Sequence, residues 1–207
     1  MNNKELNGLS TSKRIKYNLL ITHAMALFEQ GKLPSVSELA EVSGVSRATA
    51  YRYFPTQSSL IAAVVDEVLR PVIDWEPAAE ETGQRVEELL NHAFPTMLAH
   101  EGALRAALLI SLQQWASERA TDSGNHAKTR QSHRQKILAL VTAPLKKDID
   151  DALWERVNHA LSVIYGSEIL LVLKDIWGLD NEQVMSTTRW MAKAILSQAQ
   201  ADMANHR

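Results

Sequence analysis

The chain is 207 residues long, 45% apolar and 22% charged, with 22 Lys and Arg against 24 Asp and Glu for a formal charge of −2. A folded chain of this size buries roughly 70% of the surface that its unfolded form exposes, and such a composition excludes disordered, collagen-like and low-complexity classes. Cysteine is missing, which removes disulfides, thiolate zinc sites and cysteine nucleophiles together and leaves stability to core packing.

Charges such as Asp66, Glu168 and Lys174 interrupt every apolar stretch short of the roughly 18 to 20 residues of a membrane span. The opening MNNKELNGLSTSKRIK has basic residues but lacks the apolar core and cleavage site of a signal peptide, so a cytoplasmic protein without a membrane partner is expected. The charge is unevenly divided. Residues 1–55 hold seven basic side chains (Lys4, Lys13, Arg14, Lys16, Lys32, Arg47, Arg52) against four acids, a balance of +3, leaving fifteen against twenty, or −5, for the rest. A basic head on an acidic body points to a polyanion partner.

Residues 35–60, SVSELAEVSGVSRATAYRYFPTQSSL, hold the densest set of local signals. Ser35 and Glu38 have capping-box spacing, and Val36, Leu39, Ala40 and Val42 offer a short helix an apolar inner face. Gly44 tolerates positive φ, Val45 can anchor the turn, and Ser46 is a natural N-cap for a second short helix, Arg47 to Phe54, which Pro55 halts. Two short helices joined by a glycine-containing turn form a helix-turn-helix. At about 100° per residue, Arg47, Tyr51, Ala48 and Arg52 share one face of the second helix while Ala50 and Phe54 lie on another. Arginine can fork onto guanine or bridge phosphates, a tyrosine hydroxyl can donate to phosphate, and a small Ala48 permits close approach to a groove floor.

The match extends beyond this motif. Leu19, Leu20, Ala24, Leu27, Phe28 and Gly31, followed by SELAEVSGVSRATAYRYFP and Leu60, resemble the N-terminal three-helix DNA-binding domain of the TetR family of transcriptional repressors. The resemblance covers about residues 12–65, and Gly44-Val45-Ser46 and the Tyr51, Phe54 pair are its most specific parts. It implies that Arg47, Ala48, Thr49 and Tyr51 face bases or nearby backbone, while Ser46, Arg52 and Tyr53 favour phosphate. One position departs from the family pattern: Gln57 stands where a phosphate-contacting lysine is common. Glutamine can still hydrogen-bond a phosphate but releases no counterion, and Lys13, Arg14 and Lys16 are available to compensate.

Helical periodicity dominates the remainder, and no strand pattern appears. Val86, Leu89, Leu90, Ala93, Phe94, Met97 and Leu98 recur on one helical stripe. Leu104, Leu108, Leu112 and Trp115 do the same in the next segment. Thr121 to Gln131 is polar and contains Gly124, as a loop would, and Pro144 closes the short apolar helix around Ile137–Val141. From about Asp150 to Ile176 the pattern predicts one helix roughly 40 Å long. Gly178 then suits a left-handed helix end, and Asp180 with Gln183 has capping-box spacing for a last helix through Trp190 and Ile195.

The expected architecture is therefore all-α, with a helix-turn-helix domain over residues 1–56 and a helical effector-binding and dimerisation domain over 57–207. Phe94, Met97, Leu98, Leu108, Leu112 and Trp115, with Arg105 or Gln113 as polar contacts, are candidates for lining an apolar pocket. Gly166, Ile169, Leu170, Leu173, Trp190, Met191 and Ile195 are candidates for a dimer face, since a glycine inside a helix costs about 1 kcal/mol unless a close helix crossing offsets it. The seven histidines form no recognised ligand motif, and hydrolase elbows, phosphate loops and dinucleotide fingerprints are missing, so no metal, cofactor or catalytic residue is expected. With the resemblance, these features imply a homodimeric repressor of a palindromic double-stranded DNA operator, answering to a small apolar or amphipathic effector. A helical protein-binding adaptor using Arg47, Tyr51 and Arg52 as a protein interface is the alternative.

Overall fold

In a computed structural model describing residues 10–121 and 131–205, every regular element among the described residues is helical. In chain order these are α1 (Thr11–Glu29), α2 (Val36–Val42), α3 (Arg47–Tyr53), α4 (Gln57–Ile73), α5 (Thr82–Ala99), α6 (Glu101–Thr121), α7 (Gln131–Thr142), α8 (Asp151–Ile164) and α9 (Asn181–Asn205). A 3-10 turn at Leu145–Lys147 precedes α8, and the helical turn Glu168–Leu170 leads into a wide π-helical segment, Leu171–Ile176, before α9. The helices fall into two compact units. The first holds residues up to 70 together with 99–123, and the second holds 71–98 and 124–207. The loop expected from Thr121 to Gln131 lies almost wholly outside the described residues.

The first unit is built on an amphipathic α1. Tyr17, Leu20, Ile21, Ala24 and Phe28 line one side of that helix and are buried against Val36, Leu39 and Ala40 of α2, Ala50 and Phe54 around α3, and Leu60, Ile61 and Val64 of α4. Helix α1 stops where Gly31 takes φ +73° and its N–H bonds the Phe28 carbonyl at 2.8 Å. Helix α6 joins the same core through Ala103 and Ala106. Its first turn approaches α1 so closely that a Cβ on Gly102 would collide with the backbone of Phe28 and Glu29. The Glu29 carboxylate in turn accepts from the N–H groups of Gly102 (3.1 Å) and Ala103 (3.3 Å), capping α6 with a negative charge at its positive end. Two expectations need correction here. Val42 faces solvent rather than the core, and along α6 only Leu104 of the expected stripe is buried, while Leu112 and Trp115 are exposed.

In the second unit the α5 stripe is buried as expected at Val86, Leu89, Leu90, Ala93, Phe94 and Met97, and α7 contributes Ile137, Leu138 and Val141. Helix α8 starts on an Asp150 cap, whose Oδ1 accepts from the Leu153 N–H at 2.7 Å, and it packs against both α7 and α9. The single long helix expected to run to Ile176 does not form. The chain leaves α8 at Tyr165 (φ −112°, ψ 90°) and resumes only at Glu168. Arg134 packs at this break. Its guanidinium pairs with Glu168 at 2.7 Å and donates to the Ser162 carbonyl at 3.3 Å, occupying the space a side chain on Gly166 would need. The guanidinium and the carboxylate are tips of flexible side chains, so a Cβ at position 166 would displace the Arg134–Glu168 pair. Beyond the break, Gly178 adopts φ +67°, and the Asp180–Gln183 capping box is complete in both directions, at 3.0 and 2.8 Å.

Candidate nucleic-acid interface

The geometry of α2 and α3 follows from their caps. Ser35 Oγ accepts from the Glu38 N–H at 3.2 Å, and Glu38 Oε2 accepts from the Ser35 N–H at 2.7 Å. These bonds hold the Glu38 carboxyl below its ordinary pKa. Gly44 turns the chain with φ +65°, and the Val45 N–H returns to the Ala40 carbonyl at 3.0 Å, a left-handed helix end that only glycine adopts without strain. Ser46 then starts α3: its Oγ accepts from the Thr49 N–H at 3.3 Å and donates to the Thr49 hydroxyl at 2.9 Å. Replacing such a cap by alanine typically costs about 0.5–2 kcal/mol.

Helix α3 buries Ala50 and Tyr53 and is followed by buried Phe54, while Arg47, Ala48, Tyr51 and Arg52 are exposed and Thr49 is half-buried. The face expected to meet a groove is therefore the face presented to solvent. Tyr51 is further oriented by Ser37 of α2, whose Oγ lies 3.1 Å from the phenol oxygen. Sequence reading missed Ser37, since nothing in its spacing links it to a residue fourteen positions on. It also missed His23, whose Nδ1 lies 3.0 Å from the Ser43 hydroxyl just before the Gly44 turn.

Two of the expected phosphate ligands are engaged within the head. The Tyr53 hydroxyl donates to the Lys13 carbonyl at 2.8 Å, and Gln57 Nε2 donates to the carbonyls of Leu33 and Pro34, each at 3.0 Å. An amide nitrogen has two hydrogens, so both donors of Gln57 are used in tying α4 to the segment before α2. Gln57→Lys is expected to steepen the salt dependence of DNA binding by about one phosphate contact per subunit while lowering the thermal midpoint, because both loop bonds go. An unchanged salt slope in a mobility-shift titration would place position 57 away from the DNA backbone.

The other expected site residues fall in both units. Phe94 and Met97 are buried in the second unit with Leu98 half-buried, whereas Arg105, Leu108, Leu112, Gln113 and Trp115 belong to α6 in the first unit, the last three exposed. Arg105 pairs with Glu101 at 2.7 Å, and the Arg119 guanidinium lies 4.8 Å from the Trp115 ring centroid. Of the candidate dimer residues, Gly166, Ile169, Leu170 and Leu173 are enclosed by their own subunit, Met191 and Ile195 are half-buried, and Trp190 is 71% exposed. Among the described residues no three His, Asp or Glu side chains are grouped to hold a metal ion, and no helix is long and apolar enough to cross a membrane.

Comparison with known proteins agrees with this geometry. The sequence model for bacterial regulatory proteins of the tetR family matches residues 20–64, a span from the middle of α1 into α4. No curated protein matches the chain in sequence. Among solved structures, a tetR-family transcriptional regulator from Streptomyces coelicolor superposes with a TM-score of 0.67 at 20% identity, covering 95% of this chain and 87% of that one. A TetR transcriptional regulator from Rhodococcus sp. RHA1 gives a TM-score of 0.55 at 18% identity, covering 88% and 96%. At such identities the structural likeness is one of fold. Residues 20–64 thus match the tetR-family model over the helix-turn-helix, and the chain as a whole shares the all-α fold of these two TetR-family regulators.

Proposed function

We propose that this regulator is a homodimeric repressor that binds a palindromic operator and releases it on binding a small apolar or amphipathic effector. The observation that carries the reading is the α3 surface: two arginines and a phenol around a small methyl group, all exposed on a helix whose other side is buried and whose first turn is capped. Arg47, Ala48, Thr49 and Tyr51 read bases or nearby backbone in the major groove, and Ser46 and Arg52 hold phosphates. Two such heads reach successive grooves about 34 Å apart on one face of the duplex, which makes a dimer necessary for specific binding at useful affinity. In functional terms we divide the chain after residue 56, the remaining helices carrying effector response and dimerisation. The effector must obey linkage. To lower operator affinity a hundredfold it has to bind the DNA-free form about 2.7 kcal/mol more tightly than the DNA-bound form.

Mobility-shift titration with the DNA flanking the protein's own gene tests this. Arg47→Ala is expected to weaken specific binding by roughly 1–3 kcal/mol where the arginine reads a guanine, and Tyr51→Phe by less, with unchanged thermal midpoints. Wild-type affinity in a folded Arg47→Ala/Tyr51→Ala double variant would overturn the assignment and favour a protein-binding adaptor. A screen of apolar and amphipathic compounds in which none shifts the tryptophan fluorescence or releases DNA would point to constitutive repression.

A further inference from the structure

Tyr53 closes the recognition helix, yet it is only 7% exposed and its hydroxyl points back to α1, donating to the Lys13 carbonyl at 2.8 Å. Its ring stands edge-on to Tyr17 of α1, centroids 5.8 Å apart, and Tyr17 also meets Phe54 at 5.5 Å. The end of α3 is thus fixed to the start of α1 by one hydrogen bond and an aromatic cluster. On a helical wheel, Lys16, Lys13, Tyr17 and Arg14 fall at about −60°, 0°, 40° and 100°. Three exposed cations therefore bracket the ring that packs on Tyr53. Arg52 adds a fourth, its guanidinium 5.5 Å from the Tyr53 ring centroid. The acids nearest Tyr17, Glu67 and Asp66, belong to α4, where Glu67 pairs with Arg70.

The start of α1 needs this support. Its N-cap Ser10 makes no side-chain cap bond and the first turn holds no acid. Lys13, Arg14 and Lys16 place positive charge at the positive end of the helix, where cations are unfavourable. Local signals alone would let these turns fray, and the Tyr53 hydroxyl is a tertiary tie at that place.

We propose that Tyr53 is a positioning residue that acts on DNA through α1: its hydroxyl holds the Lys13–Lys16 turn beside Arg52, and these cations, not the phenol, take the phosphates flanking the recognition helix. The proposal rests on the DNA-binding reading above, and it moves Tyr53 from ligand to strut. It also supplies the backbone grip that Gln57 does not, since each lysine or arginine set on a phosphate releases a counterion.

The test uses Tyr53→Phe in the full chain, which keeps the ring and deletes the oxygen. Amide hydrogen exchange without DNA should quicken over residues 14–17, and affinity for a 30-base-pair duplex should fall roughly 2- to 10-fold, the range of a single hydrogen bond. In a Lys13→Gln/Arg14→Gln/Lys16→Gln background the same substitution should cost no further affinity, because the cations it positions are gone. Unchanged exchange over residues 14–17 would overturn the proposal. So would a Tyr53→Phe loss undiminished in the neutralised background, which would make the phenol itself the phosphate ligand. A wild-type protein that binds no duplex would remove the parent reading, an outcome distinct from the other two because the exchange measurement is made without DNA.

Discussion

Trp190→Glu is expected to yield a monomer with wild-type helix content and no specific operator binding. Within the chain, α9 turns Val184, Thr188, Ala192 and Ala199 inward, and Trp190, two residues past Thr188, stands about 200° around the helix and is 71% exposed. Val163, Ile176 and Trp177 of the same unit are equally bare. Burying one large apolar side chain at a subunit interface is worth roughly 1.5–3 kcal/mol. A carboxylate at position 190 removes that gain twice in a symmetric dimer and adds two buried charges. Leu170 is the contrasting probe. It is fully enclosed by its own subunit, so Leu170→Asp should lower the thermal midpoint sharply instead of dissociating a folded protein. Sedimentation together with circular dichroism separates the two effects. A Trp190→Glu protein that remains dimeric and keeps its operator affinity would move the interface away from α9.

The second large effect is expected at Gly102. Gly102→Ala should destabilise the protein by about 1–3 kcal/mol, the usual penalty of overpacking, and Gly102→Val by more. The added Cβ meets the carbonyl of Phe28 and the Cα of Glu29, which are backbone atoms that cannot step aside as a side-chain tip can. Moving α6 off α1 would also lengthen the bonds from Gly102 and Ala103 to the Glu29 carboxylate. Gly83→Ala is the control. Nothing lies within 4 Å of a Cβ there, so a neutral or slightly positive effect is expected from the reduced freedom of the unfolded chain. Equal denaturation midpoints for the two alanine variants would mean that α1 and α6 do not touch at Phe28.

The helix-turn-helix was legible because each of its signals is local. The Ser35–Glu38 box, the Gly44 turn and the Ser46 cap are bonds between residues at most five apart, and the structure forms all of them. The same holds for Gly178 and the Asp180–Gln183 box. The break at Tyr165–Ser167 was invisible because the arginine that packs there, Arg134, lies thirty-two residues upstream of Gly166, and the apolar periodicity continues through the break in phase. Periodicity likewise placed Val42 and Trp115 on apolar stripes, but it reports which residues share a face and not how far that face remains covered. At the interface, composition identified Arg47, Tyr51 and Arg52, whereas the inward turn of Tyr53 and the double engagement of Gln57 depend on where the first turn of α1 and the Leu33–Pro34 segment pass in three dimensions.

Two of the three buried tyrosines, Tyr17 and Tyr165, give each compact unit its own optical marker. In the first unit, Tyr17 has its phenol pKa raised, chiefly by burial and then by Glu67. In the second, burial pushes Tyr165 up to about 12, against an opposing pull from Arg134. A phenol held neutral by the fold favours the native state fully below pH 10, the unfolded value, and that contribution is lost as pH rises through the folded value. Phenolate absorbance should therefore lag in an alkaline titration for as long as these rings stay enclosed. Comparing the titration of Tyr17→Phe with that of Tyr165→Phe would then show in which order the head and the helical body open, using ultraviolet absorbance and no attached label.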